Sequence, residues 1–588
     1  MLYLYRDYSP YMEALMFLDF TVNVPVIKGK VFIKNVRGFK YVHYQYDSVY
    51  DPVKKYSSPK RTTIGKLCED DPSLMYPNPN YYKFFPDEQL PELSASPRSS
   101  CLKAGSYIVI KKIIHEYLLQ PMIHDIIGDK YGLFLDLMAY TIVCENNAGQ
   151  YYPDYAYNHP LFTEYMKMYS DATVSDFLRS ITPDDIVSFL NAWNEKQDHR
   201  GKIYISYDST NKKSQAGDID CVEVGHSKTG LPDTVFNYSI AYDRNNRVPL
   251  FYEQYPGSIT DVSQLQQMIE KAKSFGYRNA GFILDRGYFS KENIRFMDQN
   301  HYSFVIMMKG MKSLVKDIVN EIRGTFEQSW SCRIREYSIN GTTVERKLFP
   351  SDEKDRYFHV YYSDYRAASE KNDLTQMLDG MEDWMKDHQG EEVEVSGAYC
   401  YYYDPIYWHE GKEDQKLMAL VPKEAVIEDS LNHCGYFVII TSEKMTAREA
   451  LILYKSRDDS EKLFRGDKSY LGNKSNRVYS SESFRAKIFV EFAALIVRNK
   501  IYTSLTEKMK EDGKKNYLNV PAAIKELEKI ELIRYSNGVY KLDHALTKTQ
   551  KDILSAFDID ANYMKKELGS LSIELEAVEK YGKKDHND

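Results

Sequence analysis

A chain of 588 residues is too long for one ordinary domain and should divide into roughly three to five units. It has an ordinary globular composition, 43% hydrophobic and 28% charged, with a heavy load of 51 tyrosines. The net charge of −8 rules out a general polycation, and the seven scattered cysteines, with no CxxC pair, argue against a disulfide framework or a zinc ribbon and fit a reducing cytosol.

The first residues, MLYLYRDYSPYMEALMFLDF, carry Asp7, Glu13 and Asp19 within their apolar content and lack the basic start and clean apolar run of a signal peptide. No apolar run reaches the length of a membrane span, so no membrane partner is expected and the protein reads as cytoplasmic. Residues 31–67 alternate aromatic or β-branched with polar residues, which predicts a small antiparallel sheet. Between Val31 and Lys66 eight basic residues face two acids, a local charge of +6. A solvated basic face and a DNA-contacting one explain this patch equally; on the second reading Lys34, Arg37, Lys40, Lys60 and Arg61 are the contacts. Residues 68–100, rich in Pro, Ser and Asn, read as a linker closing an N-terminal module over 1–100. Residues 101–200 read as a helical domain.

From Gly201 the pattern changes. KIYISYDST alternates so that Tyr204, Ser206 and Asp208 share one face, and VFNYSIAYD and VPLFYEQYPG follow as two further strands of a meander. TDVSQLQQMIEKAKSFG predicts a helix with an apolar stripe of Leu265, Met268, Ile269 and Ala272. AGFILD, an apolar run ending in Asp285, predicts a strand buried on both faces. A short helix and the strand YSFVIMMK complete a β-β-β-α-β-α-β order. Residues 311–435 break that alternation and read as an inserted α+β domain. After GYFVIITS, Thr446 and Glu449 form a capping box that opens a helix. On that helix, at about 100° per residue, Tyr454, Arg457, Glu461 and Lys468 fall within about 60° of one another. A more apolar helix follows, then a C-terminal α/β region over 506–588 with a charged tail.

If the fourth strand lies parallel to the first, Asp208 and Asp285 come close together, and the later helix need only pack on that edge for Glu461 to join them. Three carboxylates brought together repel, and hard divalent cations relieve the repulsion. Two such ions about 3.5 to 4 Å apart activate a water or a 3′-hydroxyl and stabilise the leaving oxygen of an in-line phosphoryl transfer. Read one at a time, the same acids are strand-end groups satisfied by backbone N–H and half of an i,i+4 pair with Arg457.

The strand order with acids on strands one and four resembles the ribonuclease H-like fold of DDE nucleotidyl transferases. The signature Y-x2-R-x3-E-x6-K, met by Tyr454, Arg457, Glu461 and Lys468, resembles that of insertion-sequence transposases of the insertion-sequence-four family. YDST (207–210), GHSKTGLPD (225–233), PLFYEQYPGSITD (249–261) and LDRGYFS (284–290) look like that family's segments in the same order. The resemblance implies a mixed five-stranded catalytic sheet with flanking helices over 201–310 and 436–505, interrupted by the insertion at 311–435. It implies Asp208, Asp285 and Glu461 as catalytic ligands of two Mg²⁺ ions, for which Mn²⁺ substitutes, and Tyr454, Arg457 and Lys468 as phosphate-holding groups. Such an enzyme cuts and pastes an element in double-stranded DNA, at terminal inverted repeats and then target DNA, as a homodimer on paired ends and with no nucleotide cofactor. Arg286 and Lys309 flank the fourth and fifth strands as further possible DNA contacts. Some members of that family flip a base against a tryptophan of the insertion; Trp330, Trp384 and Trp408 lie in that region, and each reads by itself as core. A catalytically silent DNA-binding descendant and a metal-dependent nuclease without strand transfer share the same features.

Overall fold

The computed structural model describes residues 17, 20–36, 38–52, 55–87, 96, 98–198, 201–214, 219–226, 232–259, 261–308, 312–409, 415–458, 462, 475–476, 478, 480–513, 518–535 and 539–581. Strands β1 (Val22–Asn23), β2 (Val31–Val36), β3 (Phe39–Asp51), β4 (Tyr56–Leu67) and β5 (Leu74–Pro77) form an antiparallel sheet in the order β1-β5-β4-β3-β2. Val42, Ile64 and Met75 make its small core. Gly65 lets β4 and β5 meet, because a Cβ there would lie 2.6 Å from Met75 Sδ and 2.9 Å from the Tyr76 carbonyl oxygen. The stretch expected to be linker thus begins with a strand and a helix, Pro79–Phe84, capped by Asn78. Its prolines and asparagines end a strand and start a helix, and its aromatic residues give both something to bury: Tyr81 packs in the sheet's core and stacks on Phe85.

β6 (Cys101–Lys103) leads into the helices that run from Gly105 to Glu195. They surround one long helix from the far end of the chain, Ser481–Glu511, whose 31 residues span about 46 Å. Its middle is buried on all sides, as its mixed apolar sequence without a polar stripe requires. Phe489 on this helix lies between Phe134 and Phe189, with ring centroids at 4.8 and 5.0 Å.

The large sheet begins with β7 (Ile203–Ser214), β8 (Glu223–His226), β9 (Pro232–Asp243) and β10 (Val248–Pro256), the expected meander with one added short strand. Buried Asp243 closes the β9–β10 turn by accepting from the backbone N–H groups of Asn245 and Asn246. The helix Asp261–Ser274 leads to β11 (Ala280–Leu284), and the helix Lys291–Gln299 to β12 (Ser303–Met307). β11 lies parallel between β7 and β12, so the first five long strands have the order β10-β9-β7-β11-β12.

The sheet does not stop at five strands. β13 (Arg333–Ile334), β14 (Ile339–Arg346) and β15 (Arg356–Tyr362) come from the segment expected as an insertion, and with β18 (Tyr436–Thr441) they extend the sheet beyond β12. With short β8 and β19 (Ser475–Asn476) it has eleven strands among the described residues. The reason lies in RYFHVYY and YFVIIT, whose apolar residues occupy both faces. Phe358, Val360 and Ile440 enter the main core while Tyr361 and Ile439 enter a second cluster on the opposite face, which only an interior strand can do. The rest of that segment has four helices among the described residues and the hairpin β16 (Tyr403–His409) and β17 (Gln415–Pro422), which forms a two-stranded sheet of its own. Near the C-terminus β20 (Glu531–Arg534) and β21 (Tyr540–Leu542) form a three-stranded sheet with β6. Among the described residues no helix is long and apolar enough to cross a membrane.

Candidate active site

Asp208 and Asp285 are brought together by the parallel pairing of β7 and β11. The register pairs Tyr207 with Leu284, so one step further Asp208 and Asp285 stand side by side on neighbouring strands about 4.8 Å apart. Strand alternation puts them on the face that holds Tyr204 and Ile283, the face of the second apolar cluster. Gly281 makes this pairing possible: a Cβ there would lie 2.6 Å from the Tyr204 ring and 2.7 Å from Ser303 Oγ.

The two carboxylates are held differently. Asp208 sits mid-strand, half-buried, with Oδ1 accepting from the Ser209 N–H at 2.9 Å. Asp285 ends its strand and caps the single turn Arg286–Tyr288, with Oδ1 accepting from the Arg286 N–H at 2.6 Å. Its Oδ2 lies 3.4 Å from Arg457 Nη1. That contact crosses from the strand end to the segment that covers the sheet face, and it sets a cation against two adjacent anions.

The covering helix, Ala447–Lys455, starts with the expected capping box, Thr446 Oγ1 to the Glu449 N–H and the Glu449 carboxylate to the Thr446 N–H. Its residues Leu451 and Tyr454 pack on Ile283, Val305 and Ile439. Within the expected stripe the helix is interrupted at Ser456 and Arg457, and Asp458 and Lys462 are helical again. The helix ends at Lys455, Ser456 is its cap and donates its hydroxyl to the Leu453 carbonyl at 2.6 Å, and Arg457 lies in the turn beyond. Tyr454, 5% exposed, is a core group, and the guanidinium of Arg457 lies 5.7 Å from its ring centroid. A serine that bonds back to its own helix favours such a turn, and the turn carries Arg457 to Asp285.

Glu461, Lys468, Lys309 and Arg37 lie outside the described residues. Arg286 is exposed beside Asp285. Lys34, Lys40, Lys60 and Arg61 lie on the separate N-terminal sheet. Among the described residues no group of three or more His, Cys, Asp or Glu side chains is placed to hold a metal. The donors present, two carboxylates with neither thiolate nor imidazole, fit a hard oxygen-seeking cation.

Two features escaped the sequence reading. Lys212, on β7 four residues beyond Asp208 and on the same face, is buried with its Nζ 3.9 Å from Glu491 of the long helix and 3.9 Å from the Tyr238 ring centroid. Its signal was a lysine in an inward position of an apolar strand. Trp330 and Trp408 are not core residues, being 73% and 60% exposed. Trp330 lies on a sheet edge within 6 Å of both Arg333 and Arg335, and Trp408 on the two-stranded β16–β17 hairpin. Trp384 stacks on His388 with centroids 4.4 Å apart.

Residues 224–497 match the family model described as Transposase DDE domain. The match supports a DDE transposase. It takes in Asp285, Tyr454, Arg457, Glu461 and Lys468, while Asp208 lies ahead of the matched segment. The chain is also similar to a chain of the cryo-EM structure of a piggyBac transposase synaptic complex with hairpin DNA, with 8% identity, 79% of this chain and 82% of that one covered, and a TM-score of 0.35. No curated protein matches the sequence.

Proposed function

We propose that the chain is a DNA transposase of the insertion-sequence-four group that excises an element at its terminal inverted repeats and joins it to target DNA. The observation that carries this reading is the adjacent pair Asp208 and Asp285 with Arg457 set against it. The order β10-β9-β7-β11-β12, with β7, β11 and β12 parallel, supports a ribonuclease H-like core, here widened by four further strands.

Two flanks support Glu461 as the third acid. Arg457, four residues before it, touches Asp285, and Ser475 and Asn476, beyond it, pair with Lys213 and Ser214 on the strand of Asp208. Asp208, Asp285 and Glu461 would hold two Mg²⁺ ions, replaceable by Mn²⁺. When bound, these ions supply an activated water or 3′-hydroxyl and stabilise the leaving oxygen. Arg457 offers a fork of N–H donors to the phosphodiester, which the carboxylates alone would repel, and Lys468 adds a second cation. Tyr454 acts from below by fixing the helix end from which Arg457 projects. The basic N-terminal sheet engages the element's ends, and two copies pair those ends.

The test is cleavage of DNA carrying the element's ends in Mg²⁺, comparing wild type with Asp208→Asn and Glu461→Gln. Loss of cleavage with DNA binding retained supports the assignment, and undiminished cleavage by either variant refutes it. Cleavage without joining to target DNA would mark a nuclease.

A further inference from the structure

The two faces of the N-terminal sheet differ in kind. One packs Val42, Ile64 and Met75. On the other, the register sets Lys34 opposite Tyr41, Tyr41 opposite Lys66, and Gln45 opposite Arg61, so three cations from two strands flanking β3 share one surface. Each strand spacing is about 4.8 Å and each residue about 3.4 Å, so the three spread over roughly 10 by 17 Å.

Aromatic rings hold two of these cations in place. Arg61 Cζ lies 4.4 Å above the Phe32 ring, and Lys66 Nζ lies 3.9 Å above Phe39. Arg61 Nε also donates to Gln45 Oε1 at 3.2 Å, which fixes the guanidinium further. No carboxylate occurs between Val31 and Gln45 or between Arg61 and Lys66. Asp47, beyond the register shift in β3, pairs with Lys60 at 3.7 Å. Half-buried His43 lies among the same charges: its pKa is lowered by burial first, then by Lys34 and Arg61. Like charges gathered on one face do not help a small sheet fold, and in a chain of net charge −8 they point to a polyanion.

We propose that this face of the N-terminal sheet binds the sugar–phosphate backbone of duplex DNA through Lys34, Arg61 and Lys66, without reading bases. The inference rests on the DNA transposase reading and adds the surface and the residues. The faces of Phe32 and Phe39 are covered by their own cations, and Tyr41, between Lys34 and Lys66 on the same surface, packs against the Phe17 ring with centroids 5.8 Å apart, so the surface presents charge and not a stacking platform for unpaired bases. Lys40, by alternation, points from the other face, and Lys60 is paired with Asp47. Neither belongs to the surface.

The experiment measures binding of the full chain to a short labelled duplex of arbitrary sequence across a salt series, with Ca²⁺ in place of Mg²⁺ so that no cutting intervenes. Lys34→Gln/Arg61→Gln/Lys66→Gln should bind more weakly and flatten the plot of log affinity against log salt by about 3, roughly one for each phosphate that is no longer neutralised. Lys34→Gln alone, at an exposed position that leaves the sheet's packing untouched, should flatten it by about 1. Slopes equal to wild type in both variants would overturn the proposal. So would an equal weakening in Lys40→Gln/Lys60→Gln, or tighter wild-type binding to a single strand that the triple variant loses. If wild type binds no duplex at all, the transposase reading fails along with the surface, an outcome distinct from wild-type binding that the variants leave unchanged.

Discussion

Arg457 Nη1 lies 3.4 Å from Asp285 Oδ2, joining the turn after one helix to the end of a parallel strand. Arg457 is 14% exposed and Asp285 38%, so the pair contributes at most about 1 kcal/mol to folding. Its value lies in placing a forked cation beside two acids. Arg457→Gln should therefore melt close to wild type while cleavage falls about 100- to 1,000-fold, the usual effect of removing one oriented donor at a reacting centre. Arg457→Lys, which keeps the charge and loses the fork, should fall between them. Melting curves and single-turnover cleavage rates check both expectations.

Gly281 is the point where β11 passes under the Tyr204 ring. Gly281→Ala adds a Cβ within 2.7 Å of that ring and of Ser303 Oγ, and such overpacking costs about 1 to 3 kcal/mol. The strain falls between the two strands that carry the acids, so cleavage should drop by more than the fraction unfolded accounts for. Denaturant unfolding measured beside the cleavage rate separates the two effects.

The buried pair Lys212–Glu491 ties the strand of Asp208 to the long helix, and Glu491 also accepts from Asn147 Nδ2 at 2.8 Å. Lys212→Met alone leaves a carboxylate buried without its cation and should cost about 3 to 5 kcal/mol. Lys212→Met/Glu491→Leu removes both charges and should cost distinctly less. A double-mutant cycle from chemical unfolding reads the difference directly.

Burial lowers the pKa of His359 to about 4, and the neutral ring lies between Thr343 Oγ1 and Thr441 Oγ1, each at 2.9 Å. Between about pH 4 and 6.5 the unfolded chain binds a proton that the folded chain does not. This contribution to stability is therefore complete above pH 6.5 and is lost as the pH falls toward 4. His359→Gln should remove this slope. The difference between wild-type and variant unfolding free energies across that range isolates it from all other groups.

Much of the site was legible in the sequence because strand alternation and strand order are local signals. KIYISYDST placed Asp208 on one face of its strand and AGFILD placed Asp285 at the end of another, their adjacency followed only on the condition that the two strands pair in parallel, and the capping box at Thr446 fixed the start of the covering helix. Its end was not legible. Helical spacing carried the stripe straight through Ser456, whereas the helix breaks for two residues there before Asp458 and Lys462 are helical again, with the hydroxyl bond to Leu453 and the contact of Arg457 with Asp285 at the break, and the second of these is a tertiary contact. The width of the sheet was hidden for a related reason. RYFHVYY and YFVIIT read as strands, but only the exposed edge of β12 determines which sheet they join. The cations of the N-terminal sheet were visible as a charge count, and their division between two faces emerged only with the register of β2, β3 and β4.

The central claim is that Asp208 and Asp285 jointly hold the catalytic metal. It is tested most directly by changing the ligand's softness, with Asp208→Cys and Asp285→Cys assayed for cleavage of the element's ends in Mg²⁺ and in Mn²⁺. A thiolate binds Mg²⁺ poorly and the softer Mn²⁺ better, so the account predicts that each variant is inactive in Mg²⁺ and regains activity in Mn²⁺. Full activity of either variant in Mg²⁺ would contradict it.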